Sequence, residues 1–133
     1  MKSLKIGKQT IRFLSKPSVI ASASVVGPKE GRGPLKNQYD VVLNDAADHE
    51  SSYEMAEHKM LLQACEKCLA KADMKKEEID LMLGGDLLNQ ILSTTLTARE
   101  MQRPFIGLYG ACSTMAESLL MGCICALTLS CYP

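Results

Sequence analysis

The sequence predicts an α/β fold, a mostly parallel sheet flanked by helices. Three observations predict it. From residue 51 onward, helical patterns alternate with short apolar runs, the rhythm of a parallel sheet. Two of those runs, residues 79–83 and 105–109, are each followed at once by glycine and then by a helical stretch. The chain has 133 residues, 47% of them apolar and 23% charged, which suits one small domain or a part of a larger one rather than a disordered segment.

Taken in order, residues 10–13 and 19–26 read as short β segments, the second carrying Val19, Ile20, Val25 and Val26. Three glycines and two prolines in residues 27–34 mark a loop. Its Gly31 and Gly33 hint only weakly at a phosphate loop, because no helical pattern follows directly. Residues 35–50 fit no single pattern. Ser51 and Glu54 have the spacing of a capping box, with Ser51 as the N-cap. The helix that follows has an apolar face of Tyr53, Ala56, Met60, Ala64, Cys68 and Ala72, joined by Leu61, Cys65 and Leu69. His58 falls among Glu54, Glu57, Glu66 and Lys67, on the side read as solvated. Lys75-Lys76-Glu77-Glu78 reads as a solvated turn. A second helix is expected over 88–101, with Leu88, Ile91, Leu92, Thr95 and Leu96 on one side, ended by Arg103-Pro104. A third begins near Met115 and carries Leu119, Leu120, Ile124 and Leu127.

Lys and Arg together equal Asp and Glu at 15 each, so the chain lacks the basic footprint of a nucleic-acid binder. The balance hides a gradient. Residues 1–36 hold eight basic side chains and one acid, Glu30, whereas residues 104–133 hold only Glu117. An almost uncharged terminal helix is either a core element or a membrane segment. Only sixteen residues follow Glu117, with Ser118, Gly122, Thr128 and Ser130 among them, against the roughly 20 apolar residues of a spanning helix. The reading is a core helix. Lys2, Lys5 and Lys8 interrupt any signal-peptide h-region, so the expected location is cytoplasmic.

Six cysteines without a leader do not suggest a disulfide framework. Cys65 and Cys68 form a C-x-x-C, but no second pair or histidine pair completes the four ligands of a zinc site. No metal and no cofactor is expected. Cys112 is different, because it lies between an apolar strand and an apolar helix just after Gly110. Glycine permits a sharp turn that presents a side chain beyond the sheet's carboxyl edge. The helix start offers free N–H groups and the positive end of a dipole, which favour a thiolate, an oxyanion or a carboxylate there. Cys112 is therefore a candidate nucleophile position or part of an anion site, or else a small packing residue. Ser113 and Thr114 read as helix caps. A cysteine nucleophile needs a base, and neither His49 nor His58 is placed as an obvious partner. Asp86 and Asn89 read either as caps of the second helix or as ligand-binding residues.

Several motifs together carry a resemblance. They are Gly27-Pro28-Lys29-Glu30 with Gly33-Pro34-Leu35, Tyr53-Glu54-Met55-Ala56-Glu57, Ile79-Asp80, Gly85-Asp86-Leu87-Leu88-Asn89-Gln90, and Gly110-Ala111-Cys112-Ser113-Thr114 with Glu117-Ser118. Over residues 6–126 the chain resembles the stage V sporulation protein AD family of endospore-forming Firmicutes, within the wider thiolase-like superfamily. The Gly85–Gln90 run separates this family from generic thiolases.

The resemblance implies a thiolase-like fold of two similar α/β halves, with residues 1–133 an incomplete N-terminal half. It implies a soluble, membrane-associated component of the apparatus that moves dipicolinic acid, with calcium, into the spore and out at germination. Dipicolinic acid and the other proteins of that apparatus are the implied partners, with a homodimer possible for the full-length protein. The implied location is the forespore, peripheral to the spore inner membrane. Gly110, Cys112, Ser113, Asp86 and Asn89 are the implied ligand-binding positions. In catalytic relatives the residue matching Cys112 accepts an acyl group, with His and Asn, or His and Cys, supplied by the second half. An acyltransferase of the thiolase or ketoacyl-synthase type is thus the alternative reading. The family pattern ends near residue 126, and residues 127–133 read as unrelated. The resemblance thus implies a truncated chain whose last helix lacks part of its normal cover.

Overall fold

The computed structural model of the chain describes residues 5–14, 16–47, 49–88 and 91–129. A hairpin opens it, with β1 (Lys5–Ile6) antiparallel to β2 (Thr10–Ile11) around a turn at Gly7. β3 (Val25–Val26) pairs in parallel with β4 (Val41–Val42), in the register Val25↔Val41 and Val26↔Val42. Helix α1 (Tyr53–Ala72) follows, then β5 (Met82–Gly84), α2 (Leu92–Met101), β6 (Phe105–Gly107) and α3 (Thr114–Leu129). β5 and β6 pair in parallel, Met82 opposite Phe105, Leu83 opposite Ile106 and Gly84 opposite Gly107. The fold is mixed α/β, and strands from the two apolar runs at 79–83 and 105–109 pair in parallel with each other.

The differences from expectation are local. β5 starts three residues later than the apolar run and ends on Gly84. Of residues 19–26 only Val25–Val26 join a ladder, and Val19 and Ile20 stand exposed. Their partner strand lies in the ambiguous segment 35–50. Among the described residues the strands form three separate two-stranded ladders, not one continuous sheet. The Gly- and Pro-rich loop between β3 and β4 closes on itself through Gly31 N–H to the Gly27 carbonyl (3.2 Å) and Arg32 N–H to the Lys29 carbonyl (3.2 Å).

α1 is capped one residue later than the sequence suggests. The Ser52 hydroxyl, rather than that of Ser51, accepts from the Met55 N–H at 3.3 Å. Asp73 closes the other end in the left-handed region (φ 54°), with Met74 N–H bonded to the Leu69 carbonyl at 3.1 Å. Between the ends, α1 packs on α2 through small residues. Ala56 is buried on α1, and Ser93, Thr94, Thr97, Ala98 and Met101 are buried on α2. This corrects the face read for α2: Leu92 and Thr95 point to solvent, and the helix begins at 92 rather than 88.

His58 is corrected too. It is 5% exposed, not solvated. Its Nδ1 lies 3.0 Å from Thr97 Oγ1 and its Nε2 3.0 Å from Glu100 Oε1. Thr97 Oγ1 also lies 2.9 Å from the Ser93 carbonyl one turn earlier. A buried polar side chain needs such partners, and the hydroxyl-rich face of α2 provides them.

Asp40 fastens this pair of helices to the β3–β4 ladder. Lys71 Nζ donates to Asp40 Oδ1 at 2.8 Å, and the Ser24 N–H donates to Oδ2 at 2.9 Å. The lysine, then the Ser24 amide, holds the Asp40 carboxyl below its ordinary 3.8. A depressed carboxyl contributes stability above its unfolded value, and that stability is lost as pH falls through its folded value. Asp40→Asn should therefore lower the thermal midpoint at pH 7. The gap from the unmutated chain should narrow as pH falls below the carboxyl's ordinary 3.8. Paired melting curves across pH check this, and a gap independent of pH would count against it.

α3 packs on β5 with one side. Met115 is 75% exposed, Leu119 53% and Leu120 48%. The reading of a core helix is therefore met on one side only. By length and composition alone, the window Ala111–Thr128 is apolar enough to cross a membrane, with a mean hydropathy of 1.4, although it contains Glu117. Soluble core helices pass the same test.

Candidate functional site at the carboxyl edge of β5 and β6

β5 and β6 deliver their following segments to one place. The ladder extends by one bond, from Leu108 N–H to the Gly84 carbonyl at 2.8 Å. Gly85 then passes so close to the Leu108 carbonyl and the Thr114 methyl that any side chain at 85 would overlap them. The Gly85-Asp86 loop therefore lies against the turn that starts α3. This is the carboxyl edge of a parallel pair, where open α/β sheets place their ligands.

Asp86 is held by three donors. Its Oδ1 accepts from Leu88 N–H at 2.9 Å, and its Oδ2 accepts from Thr94 N–H and Thr94 Oγ1, both at 2.7 Å. Asp86 thus ties its loop to Thr94 in the first turn of α2, whose N-cap position is Ile91 and carries no side-chain cap bond. Asn89, paired with it in the sequence reading, lies outside the described residues.

Cys112 lies in a 3₁₀ turn, Ala111–Ser113, immediately before α3, and is exposed. The turn is tied by Ser113 N–H to the Gly110 carbonyl (3.0 Å) and by Gly110 N–H to Thr114 Oγ1 (3.1 Å). The Ser113 hydroxyl lies 2.7 Å from the Gly110 carbonyl and 2.6 Å from Glu117 Oε1. The sharp conformation falls one residue later than expected. Gly110 has an ordinary φ of −117°, and Ala111 takes the left-handed one, 50°. Glycine at 110 leaves room for the Glu117 carboxylate and the Ser113 hydroxyl, which a side chain there would push aside.

A cavity of 430 Å³ opens beside the Asp86 loop, between residues 23–25 near β3, the Glu57–Ala64 face of α1 and residues 85–87. Burial raises the Glu57 carboxyl above its ordinary value, and the negative charge of Asp86 adds to the rise.

The family model for stage V sporulation protein AD matches residues 7–128. The chain belongs to that family. It is also similar to stage V sporulation protein AD of Bacillus subtilis (strain 168), 38% identical over 113 residues. That match takes in 85% of the chain and 33% of the relative, so the chain spans about a third of the length of the curated relative.

Within this sporulation-family chain, the cysteines among the described residues fall into two environments. Cys65 is half-buried on α1, and burial, then the neighbouring Cys68 and Glu66, pushes its thiol up. Cys68, Cys123 and Cys125 are half-buried on helices, whereas Cys112 is exposed on its turn. His58 has both ring nitrogens engaged on α2. Two residues at this edge escaped the sequence reading. Glu57 looked like part of a solvated face, yet it lines the cavity. Glu117 was named as part of a family motif and as the single charge of the last thirty residues but was given no role, and it bonds the Ser113 hydroxyl of the Cys112 turn. Its spacing of four from Ser113, one helical turn, was the available signal.

Proposed function

We propose that the chain is part of the first half of a thiolase-like sporulation protein that binds dipicolinic acid, with Cys112 lining the ligand site. The observation that carries the reading is the joint placement of two family motifs. Gly85-Asp86 and Gly110–Thr114, distant in sequence, meet at the carboxyl edge of β5 and β6. Dipicolinate is a planar dianion, and the start of a helix such as α3 favours negatively charged groups. On this reading the whole protein serves the apparatus that moves dipicolinate with calcium, at the forespore side of the spore inner membrane. It works beside the other proteins of that apparatus, and the full-length form pairs as a homodimer.

The test is thiol labelling with iodoacetamide, read residue by residue by mass spectrometry, with and without dipicolinate. Cys112 should label faster than Cys65, Cys68, Cys123 and Cys125, and dipicolinate should slow Cys112 alone. Equal labelling of Cys112 with and without the ligand would overturn the assignment.

The exposed thiol also supports a second reading, an acyltransferase of the thiolase or ketoacyl-synthase type. In that case the Cys112 sulfur would attack an acyl thioester, forming a new S–C bond as the carrier thiolate departs with the bonding electrons. A stable acyl mass on Cys112 after exposure to acyl thioesters would favour it over binding alone.

A further inference from the structure

We propose that the stretch after the β1–β2 hairpin, residues 12–20, docks the chain directly on an anionic lipid surface. Charge is the first observation. Residues 1–36 hold eight basic side chains and one acid, Glu30, whereas residues 37–103 hold seven basic and thirteen acidic ones. The chain is neutral as a whole but polarised along its length. An anionic surface attracts its first part and repels its middle, which sets the orientation of docking. The cations are also available. Lys8, Arg12, Lys16, Lys29, Arg32 and Lys36 are exposed, and none of them forms an ion pair among the described residues.

The second observation is apolar. Leu14 is 71% exposed, Val19 78% and Ile20 73%, all in the stretch that carries Arg12 and Lys16. Residues 12–14 and 16–20 belong to no helix or ladder. Single exposed aliphatic residues are ordinary, but three in one short stretch beside two cations match the boundary of a bilayer. There aliphatic groups enter between the headgroups, while lysine and arginine keep their charged ends at the phosphates. A single-stranded nucleic acid would be met by exposed aromatic rings, and the one aromatic residue of this stretch, Phe13, is half-buried. The other exposed apolar surface, at residues 115–120 of α3, carries no cation. The contact needs no second protein and does not depend on dipicolinate, so its failure is distinct from a failure of the dipicolinate assignment.

The test is flotation of the intact chain with vesicles of phosphatidylcholine, alone or with about one third phosphatidylglycerol. At low salt the chain should float with the anionic vesicles and not with the neutral ones. Salt at about 1 M should release it. Lys16→Gln should weaken partitioning about fivefold. Leu14→Ser together with Val19→Ser keeps every charge and should weaken it at least as much. The salt arm uses the unmutated chain, so it decides the matter should a variant fail to fold. Equal binding to both vesicle types, undisturbed by salt, would place the contact on α3 and overturn the proposal. Absence of binding to the anionic vesicles overturns it, as does anionic binding that both folded variants leave unchanged. Tighter binding to single-stranded RNA than to the anionic vesicles would assign the basic segment to nucleic acid and overturn it as well.

Discussion

Gly85→Ala should destabilise the chain by about 3 kcal/mol and loosen the start of α3, although it adds one methyl group. The added carbon would coincide with the Leu108 carbonyl and crowd the Thr114 methyl. The obstacle is backbone, so no side-chain rotation relieves it. Either the Leu108 N–H to Gly84 bond opens or the Gly85-Asp86 loop moves off the Cys112 turn. Gly110→Ala is the informative contrast. There the colliding atoms are the ends of the Glu117 and Ser113 side chains, which can swing aside, so the cost should be smaller. Urea titrations of both variants give the comparison. A Gly85→Ala chain within about 0.5 kcal/mol of the unmutated one would show that the strand ends do not hold the turn.

His58→Ala should cost about 2–4 kcal/mol, from the space left by the ring and from lost hydrogen bonds. The ring bridges α1 to Thr97 and Glu100 on α2, where the His58 carbonyl also accepts a longer bond, 3.5 Å, from Thr97 Oγ1. Thr97→Val keeps the shape and removes the hydroxyl, leaving Nδ1 without that partner, for a loss of about 1–3 kcal/mol. Because the two residues share one bond, the double variant should lose less than the sum. Full additivity in denaturant midpoints would refute the bridge.

How legible all this was in the sequence varies by region, for physical reasons. The parallel pairing of β5 and β6 was readable because each strand lies in a short, mostly apolar run followed by glycine and a helical stretch. The start of α3 was readable because the polar Ser113-Thr114 gives way to an apolar stretch. The α1–α2 contact was not. Apolar periodicity finds faces made of leucine, but here the buried face of α2 is serine, threonine and alanine, whose hydroxyls are satisfied internally. A histidine opposite such a face is a matched partner, yet on a hydropathy pattern it looks solvated. β4 was hidden because two valines in a polar segment form too short a run to show alternation. At the site, the meeting of residues 85–86 with 110–114 followed from topology. The contact of Glu117 did not, because it depends on the room that Gly110 leaves for the carboxylate.

The β5–β6 ladder joins residues that lie on either side of the whole of α2. Such a ladder cannot close by local search, since the chain between its strands must first be gathered in, and the entropy of that closure falls on two strands of three residues each. α2 and the ladder therefore form and open together, as one cooperative unit that the start of α3 joins through Gly85. Amide protons of β5 and β6 should exchange in step with those of α2, while the antiparallel hairpin at residues 5–11, closed over a few residues, opens on its own schedule.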